Sequence, residues 1–486
     1  MAYLTQYRPW EGGFHAPSSR AGPVNPSSPI TLAAFGDLLS TTRIARILES
    51  CHAITQRQRK LSLVFTAQLC IAMSLWSDES IDAIVRKLLA GPQLRGRVPD
   101  DGIASDSAIS RRRQTLGIAP MEALFNTICR PMATPITPDA FRWGMRLMAI
   151  DGTTEEVPDT PANSVAFGRA SGSRGTGAFP QLQLVYLCEV GTHAIVDVIW
   201  GPYADSERVG GRTLLRSIEP GMLVLWDGAF QTLEMSHQCR ERGAQFLGRL
   251  PRTVKPTVDE RLADGSYLVT LRPHSRRSGA ARPPLQIRVI EYELTDPGRP
   301  GYGERRRLAT SLLDPDHYPA ADLVLTYHER WEIELVIDEV DTHQRRPRQP
   351  FRSRTPDGVV QELYGMLIAH YAIRASMHTV AVRLELPADR LSFVHSLRTL
   401  RDWSIHLLFL GPRQGRQVIQ RVLRILGEVV LPLRANRAAP RQVKRKMSRY
   451  LRKRPDDPPA PQPTKPFAES FVIRPMDTRT LGRPNA

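Results

Sequence analysis

Three acidic residues occupy positions from which their side chains could reach a common point. Asp151 follows the apolar run Leu147–Ile150, Asp227 follows the apolar run Met222–Trp226, and Glu334 lies in a segment of helical periodicity. Two carboxylates at the ends of buried strands and a third on a helix would repel one another unless cations neutralised them. Hard oxygen ligands suit Mg²⁺ or Mn²⁺, and paired metal ions suit phosphodiester chemistry.

Each of these features also has an ordinary structural explanation. An aspartate followed by glycine, as at Asp151 and Asp227, commonly makes a turn after a strand. Arg330 stands one helical turn before Glu334, and such a pair is commonly a weak surface ion pair. Only the combination of two strand ends with the helix favours a catalytic interpretation.

The composition indicates a polyanionic partner. The chain has 486 residues, enough for roughly two to four domains, and a formal net charge of +17. Nucleic acid is the partner that such a charge favours, although a genome rich in G and C would also enrich arginine. Five widely spaced cysteines without a C-x-x-C pair fit a reducing compartment and indicate neither a zinc site nor a disulfide framework.

The N-terminal third is expected to be a flexible arm followed by helices. Residues 1–35 are rich in Pro, Gly and Ser, and no signal peptide is visible there. Residues 36–135 show helical patterns, and Leu61–Ser77 predicts a buried helix rather than a membrane span. The run Arg111–Arg113 on a third helix is compatible with a DNA-reading module or with a solvated basic face.

The middle of the chain predicts a mixed sheet covered by helices. Within 141–251, the order is three strands, a helix, a strand, a helix and a strand, so an antiparallel opening is followed by parallel neighbours. The predicted strands are 145–150, 181–188, 193–200, 221–226 and 244–249, and the predicted helices are 205–217 and 231–242.

The rest of the chain divides into four segments. Residues 252–326 alternate in hydrophobicity and predict a β-rich insertion. A long helix after Thr326 returns the chain to the core over 327–380, with a helix pair at 358–380. Residues 381–454 are helical and basic, and residues 455–486 are Pro-rich and expected to be disordered.

Four local motifs give the sequence a specific resemblance. They are Ala149–Thr153, Leu223–Phe230, the spacing Tyr-x2-Arg-x3-Glu at Tyr327, Arg330 and Glu334, and the basic segment Pro440–Lys446. Over about 36–450 the chain resembles a DDE transposase of the insertion-sequence-four family, in the RNase H-like superfamily.

The resemblance implies an α/β fold with an RNase H-like mixed-sheet catalytic core, a β-rich insertion, an all-α N-terminal DNA-binding domain and a helical C-terminal region. It implies that Asp151, Asp227 and Glu334 hold two Mg²⁺ ions, which Mn²⁺ could replace. The implied activity is cleavage at transposon ends and strand transfer into target DNA. The implied partners are double-stranded DNA, as terminal inverted repeats and target, and a second copy of the chain in a homodimer on DNA. No membrane is involved, and the expected location is the bacterial cytoplasm, with the nucleoid.

The resemblance also implies which residues contact DNA. Tyr327 and Arg330 would position the terminal phosphates through a hydroxyl group and a planar guanidinium group. Two basic runs are further candidates, although each is also explained as a solvated surface. Their members are Arg345, Arg346, Arg348 and Arg352 after the catalytic helix, and Arg441, Lys444, Arg445 and Lys446 near the C-terminus.

One position departs from the family pattern. Asp341 stands seven residues after Glu334, where the family signature has a lysine that would contact phosphate. Arg345 or Arg346 could substitute for that lysine. Three functions therefore stay open: an active transposase, a DNA-binding relative without catalysis, and an RNase H-like nuclease that cuts without joining.

Overall fold

The structure is a computed structural model. It describes residues 40–51, 61–94, 105–172, 175–255, 257–272, 283–345, 349–409, 412–432 and 462–475. Its α-helices, in chain order, are α1 (Thr41–Ser50), α2 (Leu63–Leu75), α3 (Ile81–Leu94), α4 (Asp106–Leu116), α5 (Ala119–Ile128), α6 (Pro161–Phe167), α7 (Glu207–Leu214), α8 (Leu233–Glu241), α9 (Ala320–His328), α10 (Glu332–Asp338), α11 (Pro356–Arg383), α12 (Phe393–Phe409) and α13 (Pro412–Leu426).

The strands form one large sheet and a short separate hairpin. In chain order they are β1 (Phe141–Arg142), β2 (Met145–Glu156), β3 (Ser171–Gly172), β4 (Gly175–Thr176), β5 (Gln181–Glu189), β6 (Ala194–Pro202), β7 (Met222–Trp226), β8 (Gln245–Arg249), β9 (Val258–Arg261), β10 (Tyr267–Leu271), β11 (Leu285–Leu294), β12 (Arg305–Thr310) and β13 (Phe471–Ile473). The strand order is β6-β5-β2-β7-β8-β12-β11-β10-β9, with β1 beside β2 and β13 beside β11, while β3 and β4 make the hairpin.

The first five long strands confirm the predicted fold class. β2 pairs antiparallel with β5 and β5 antiparallel with β6, whereas β2 pairs parallel with β7 and β7 parallel with β8. This is the mixed arrangement of an RNase H-like core. All five residues of β7 are buried, as expected for a central strand with helices on both faces.

The β-rich insertion extends this sheet. β12 pairs antiparallel with β8, and β11, β10 and β9 follow outward from it. The insertion therefore shares a continuous sheet with the core. The following helix α9 begins at Ala320, directly after Pro319, and so starts earlier than the predicted position after Thr326.

The chain from Ala320 to Gln344 is helical but not uniform. A 3₁₀ turn at Glu329–Trp331 joins α9 to α10, and a π-helical turn at Glu339–Gln344 follows α10. Glu334 lies in the first turn of α10. The periodicity alone predicted a helix here without these interruptions, which depend on the packing of the segment against its neighbours.

A long buried helix joins the core to the N-terminal helices. The predicted pair at 358–380 is one helix, α11, and it packs on α2. Gly365 permits the close approach, because a Cβ atom at that position would lie 2.3 Å from the carbonyl oxygen of Cys70. Within the described part of the chain, no helix is long and apolar enough to cross a membrane.

Part of the C-terminal region differs from the expectation. Residues 462–475 fall within the predicted disordered tail 455–486, yet they include strand β13, which pairs antiparallel with β11. Here local contacts with the insertion outweigh the Pro-rich composition.

Candidate active site

The parallel pairing of β2 and β7 places two of the three acids side by side. Ile150 lies opposite Trp226, so Asp151 and Asp227, the next residue of each, lie side by side where β7 ends. The prediction that Asp151 also ends its strand is wrong, because β2 continues to Glu156 and Asp151 pairs with Tyr186 of β5. The Oδ1 atom of Asp151 accepts a hydrogen bond of 2.9 Å from the backbone N–H of Gly152. The Oδ1 atom of Asp227 accepts bonds from the N–H groups of the turn that follows, at 2.8 and 3.4 Å.

Arg330 joins the first acid to the third. Its Nη1 donates to Oδ2 of Asp151 at 3.0 Å, and its Nη2 donates to Oε1 of Glu334 at 2.9 Å. Arg330 is only 8% exposed, whereas the side chains of Asp151 and Glu334 are 20% and 38% exposed. One buried guanidinium therefore pairs with two carboxylates that remain open to solvent, and the pair at Arg330 and Glu334 is part of a larger cluster rather than an isolated surface contact.

The three carboxylates influence one another electrostatically. Burial raises the pKa of Asp151 to about 6, and the charges of Asp227 and Glu334 add to that rise. Arg330 and the N–H of Gly152 act in the opposite direction. Burial also opposes the charge of Arg330, but Tyr327 and the two acids raise the pKa of its guanidinium above its ordinary value. Negative charge is thus concentrated at this edge of the sheet.

The donor chemistry fits a hard divalent cation, because the converging groups are carboxylate oxygens whose mutual repulsion a cation would relieve. As the side chains stand, the described residues include no group of three His, Cys, Asp or Glu side chains spaced to hold one metal ion. Arg330 occupies the position between Asp151 and Glu334, so loading a metal there requires these side chains to rearrange.

Tyr327 contacts the same edge of the sheet. Its hydroxyl donates a hydrogen bond of 3.2 Å to the carbonyl oxygen of Trp226, the residue before Asp227. Burial raises the pKa of Tyr327 above its ordinary value, so the hydroxyl stays protonated and remains a donor. Of the two residues that the sequence pattern grouped with Glu334, Arg330 therefore contacts Asp151 and Tyr327 contacts the residue before Asp227.

A basic cavity of about 510 Å³ opens beside the end of α9 and the 3₁₀ turn that leads to α10. Tyr327 and Arg330 line it, and the aromatic residues Tyr292, Trp331 and Phe467 contribute to its wall. Five arginines line it in all: Arg249, Arg252, Arg299, Arg306 and Arg330.

The sequence analysis identified only Arg330 among these arginines. The others come from the end of β8 and from the insertion, which lie far apart in the sequence. One feature of the sequence could have indicated these arginines: Arg249 ends the predicted strand 244–249, which is the next strand after the one that precedes Asp227. No described residue forms a hydrogen bond or an ion pair with the side chain of Arg249.

Two arginines predicted to contact DNA have their guanidinium groups inside the fold. Arg345 forms an ion pair with Glu155 and donates to the carbonyl oxygen of Gln349. Arg352 donates to three carbonyl oxygens at the end of α2 and just beyond it. The other members of the two basic runs lie outside the described residues, namely Arg346, Arg348, Arg441, Lys444, Arg445 and Lys446.

Asp341, which replaces the family lysine, points back toward the core strand. Its Oδ2 atom is 3.5 Å from the hydroxyl of Thr153, two residues beyond Asp151, and its Oδ1 atom is buried without a hydrogen-bond partner among the described residues. Burial raises the pKa of Asp341 to about 7, and Asp338 adds to the rise. The position of the family's cationic residue is therefore filled by a carboxyl group that is easily protonated.

Comparisons with known proteins identify relatives of this chain. The family model described as a transposase DDE domain matches residues 142–372, and the one described as the insertion element 4 transposase N-terminal region matches residues 29–126. A transposase of Escherichia coli K12, InsG for insertion sequence element IS4, is 29% identical over 426 residues, which is 86% of this chain and 93% of InsG. InsZ of the same strain is 26% identical over 225 residues, 46% of this chain and 72% of InsZ.

Among solved structures, the chain is similar to a piggyBac transposase in a synaptic complex with hairpin DNA, determined by cryo-EM. The TM-score is 0.41 at 12% identity, and the match covers 83% of this chain and 85% of that one.

The RNase H-like sheet, the acids at its edge and the matched domains define a DDE transposase, an enzyme. The chain belongs to the insertion-sequence-four family of these enzymes. Membership implies dependence on a divalent metal and binding to DNA.

Proposed function

We propose that this transposase uses Asp151, Asp227 and Glu334 to cut DNA at the ends of its element and to join the freed ends to target DNA. The observation that supports these residue assignments is the arrangement around Arg330, in which one guanidinium contacts Asp151 and Glu334 while Asp227 stands on the neighbouring strand. Cleavage and joining both attack phosphorus with oxygen, so one site serves both steps.

The proposed metal complement is two Mg²⁺ ions, for which Mn²⁺ can substitute. Three carboxylates contribute enough negative charge for two divalent ions only if phosphate oxygens complete the coordination, which suits a DNA substrate. When bound, such ions activate a water or a 3′-hydroxyl and stabilise the leaving oxygen.

The chain's own residues orient the carboxylates and the DNA. The turn after β7 holds the carboxylate of Asp227 through two N–H groups. Tyr327 of α9 donates to the backbone carbonyl oxygen of Trp226, beside Asp227, and so holds α9 against the end of β7. Arg330 is the group that would transfer its hydrogen bonds from the acids to a terminal phosphate, since guanidinium binds both with similar geometry.

DNA contacts outside the catalytic edge are proposed in two places. The arginines of the cavity lie next to Arg330, where the strand that leads to the reacting phosphate would pass. Arg346, Arg348, Arg441, Lys444, Arg445 and Lys446 would bind more distant phosphates with little sequence preference. Because two DNA ends must be held together for joining, we propose a homodimer on DNA, bound to terminal inverted repeats and target.

A second candidate function is a DNA-binding relative that does not cut. Asp341 favours it, because a buried acid stands where the family has a cation, and an ionised carboxyl repels phosphate. The raised pKa of Asp341 weakens this objection, since a protonated carboxyl carries no charge.

A cleavage and joining assay tests the proposal. The substrate is DNA with the ends that flank the protein's own gene, with Mg²⁺ or Mn²⁺. Asp151→Asn, Asp227→Asn and Glu334→Gln should each lower the cleavage rate by roughly 10³-fold or more while DNA binding persists, since each removes a ligand that acts in the transition state. Asp316→Asn is the matched control, because Asp316 is an exposed acid outside the proposed site, and this variant should cut like the parent.

The products separate the alternatives. Joined products establish a transposase that tolerates Asp341, whereas cleavage without joining indicates a nuclease. Binding without cleavage in either metal indicates the non-cutting relative. Unchanged cleavage by all three acid variants would show that the residue assignment is wrong.

A further inference from the structure

Residues 462–475, here called the C-terminal strap, are held firmly on the β-rich insertion. β13 pairs with β11, and the backbone N–H of Thr295 donates to the carbonyl oxygen of Ser470 at 2.8 Å. Gly298 permits the close approach of the strap, because a Cβ atom there would lie 1.8 Å from the carbonyl oxygen of Gln462. The segment is therefore part of the folded protein, although residues 433–461, which connect it to the preceding helices, are outside the described residues.

Asp296 fixes the beginning of the strap. Its fully buried carboxylate accepts hydrogen bonds from the N–H and the hydroxyl of Thr464, both at 2.9 Å, and from the N–H of Lys465 at 3.2 Å. Burial acts to raise the pKa of Asp296, but the bonds from Gly298, Thr464 and Lys465 lower it to about 2. Arg299 adds a bond of 2.8 Å from its Nη2 to the carbonyl oxygen of Lys465.

These contacts place Phe467 against the end of α9. Its ring stacks on that of His328, with centroids 3.8 Å apart and planes 7° from parallel, and the guanidinium of Arg299 lies 5.4 Å from its centroid. His328 stands between Tyr327 and Arg330 in the sequence, and all of these residues line the basic cavity. A ring from the far end of the chain thus forms a wall of a cavity that borders the catalytic acids.

The cavity has the chemistry of a nucleotide site. Its volume of about 510 Å³ is within the range of ligand pockets, roughly 300–1,000 Å³. Five arginines and one acid, Glu304, line it, which favours a phosphate-bearing occupant. Aromatic rings beside arginines also accept bases or sugars by stacking. Because Arg330 lies both in the cavity and between Asp151 and Glu334, the occupant should be continuous with the strand at the catalytic site.

We propose that the C-terminal strap is a working part of the DNA-end site, in which Phe467 closes the cavity around one nucleotide of the strand being processed. The arginines hold the phosphates of this nucleotide, and Phe467 contacts its base or sugar. This inference rests on the proposed function at the catalytic acids and adds to it a specificity-determining residue about 130 positions further along the chain.

Substitution of Phe467 in the full-length chain is the test. Phe467→Ala should weaken binding of the element's end by roughly 5- to 150-fold, since one base–aromatic contact is worth about 1–3 kcal/mol. Binding of duplex DNA that lacks the end should be unchanged, and Phe467→Trp should restore end binding. Tyr302→Ala is the matched control, because Tyr302 is an aromatic residue of the same insertion, is 57% exposed and does not line the cavity. Fluorescence anisotropy measures all four proteins.

A scan of abasic substitutions along the end identifies the contacted nucleotide. The parent should lose affinity at one position, and Phe467→Ala should be insensitive to the abasic site at that position alone. Equal sensitivity of both proteins at every position would overturn the proposal, as would parental affinity of Phe467→Ala for the end.

Structural damage is distinguished by a second variant. Thr464→Val removes the hydroxyl bond to Asp296 and loosens the strap at a residue that does not line the cavity, so it should weaken end binding in the same direction as Phe467→Ala. If either variant instead loses binding to all duplexes in proportion to a lower melting temperature, the strap only stabilises the fold and does not contact the DNA end. If the parent neither cuts nor prefers the ends, the proposed function itself fails; if the parent cuts and Phe467→Ala matches it in both assays, only the strap proposal fails.

Discussion

Arg330 is the residue that lets three acids gather at one edge of the sheet. Removing two carboxylates from water is costly unless a cation accompanies them, and the guanidinium of Arg330 contacts both Asp151 and Glu334. The acids were predictable, because two of them follow apolar runs and the third lies on a periodic helix, although β2 continues past Asp151 to Glu156. The bridging position of Arg330 was not, since the spacing of Arg330 and Glu334 alone is equally typical of a surface pair.

The bridge predicts a metal response that does not depend on catalysis. Arg330→Gln removes the cation that neutralises Asp151 and Glu334, so the melting temperature in EDTA should fall. Added Mg²⁺ should then raise the melting temperature more in the variant than in the parent, because the metal supplies the missing positive charge and binding stabilises the folded state. Differential scanning fluorimetry with and without Mg²⁺ measures both effects, and an equal response of the two proteins would contradict the bridging role.

Asp341 predicts a pH dependence of stability. Its pKa is raised to about 7 in the folded protein, so the folded state holds a proton that the unfolded chain has released above about pH 4. The stability contributed by that proton is complete below the unfolded pKa and is lost as the pH rises through about 7. Asp341→Asn keeps the shape without the charge and should raise the melting temperature at pH 8 by roughly 2 °C or more, with a smaller effect at pH 5 and almost none at about pH 4. Parallel pH profiles of parent and variant would refute the assignment.

At the scale of elements, the segment that carries Glu334 is held by a buried ionic cluster. Glu339, in the π-helical turn after α10, contacts Arg374 and His370 of α11 and His193 of the turn between β5 and β6. Burial acts against the charge of Glu339, but Arg374 and His193 lower its pKa well below the ordinary value, so it is ionised. Helical periodicity predicted this segment, whereas its π turn could not be predicted because it is set by partners far away in the sequence.

This cluster predicts a large effect from a small substitution. Glu339→Gln leaves the buried guanidinium of Arg374 without its carboxylate and should lower the free energy of unfolding by roughly 3–5 kcal/mol. Asp338→Asn is the matched control at the preceding residue. Its side chain is 51% exposed and its ion pair, among the described residues, is with His343, so the change should be roughly 1 kcal/mol or less. Urea unfolding measures both, and equal effects would show that the cluster does not hold the segment.

At the scale of the whole molecule, one half-buried arginine joins the two matched family regions. Arg352 donates to the carbonyl oxygens of Met73 and Trp76, at 2.7 and 3.1 Å, and of Glu79 at 2.7 Å. Positive charge at a helix C-terminus is favourable, and these acceptors lie at the end of α2 and in the turn after it. A basic run in the sequence indicates phosphate binding and interior pairing equally well, so the sequence could not separate these roles for Arg352.

The two roles of Arg352 predict opposite results in stability and DNA-binding measurements. Arg354, an exposed arginine two residues further on, serves as the control. If Arg352 fastens the N-terminal helices to the core, Arg352→Ala should lower the melting temperature by several degrees, since three backbone carbonyl groups lose this donor. The slope of log K against log salt for DNA binding should not change. A phosphate contact would instead reduce that slope by about 0.9 and leave the melting temperature unaltered. Arg354→Ala should show no loss of stability, because its exposed side chain is not needed to hold the helices. We expect the first result for Arg352, which would mean that the arginines of this basic run divide between the interior of the fold and its DNA-binding surface.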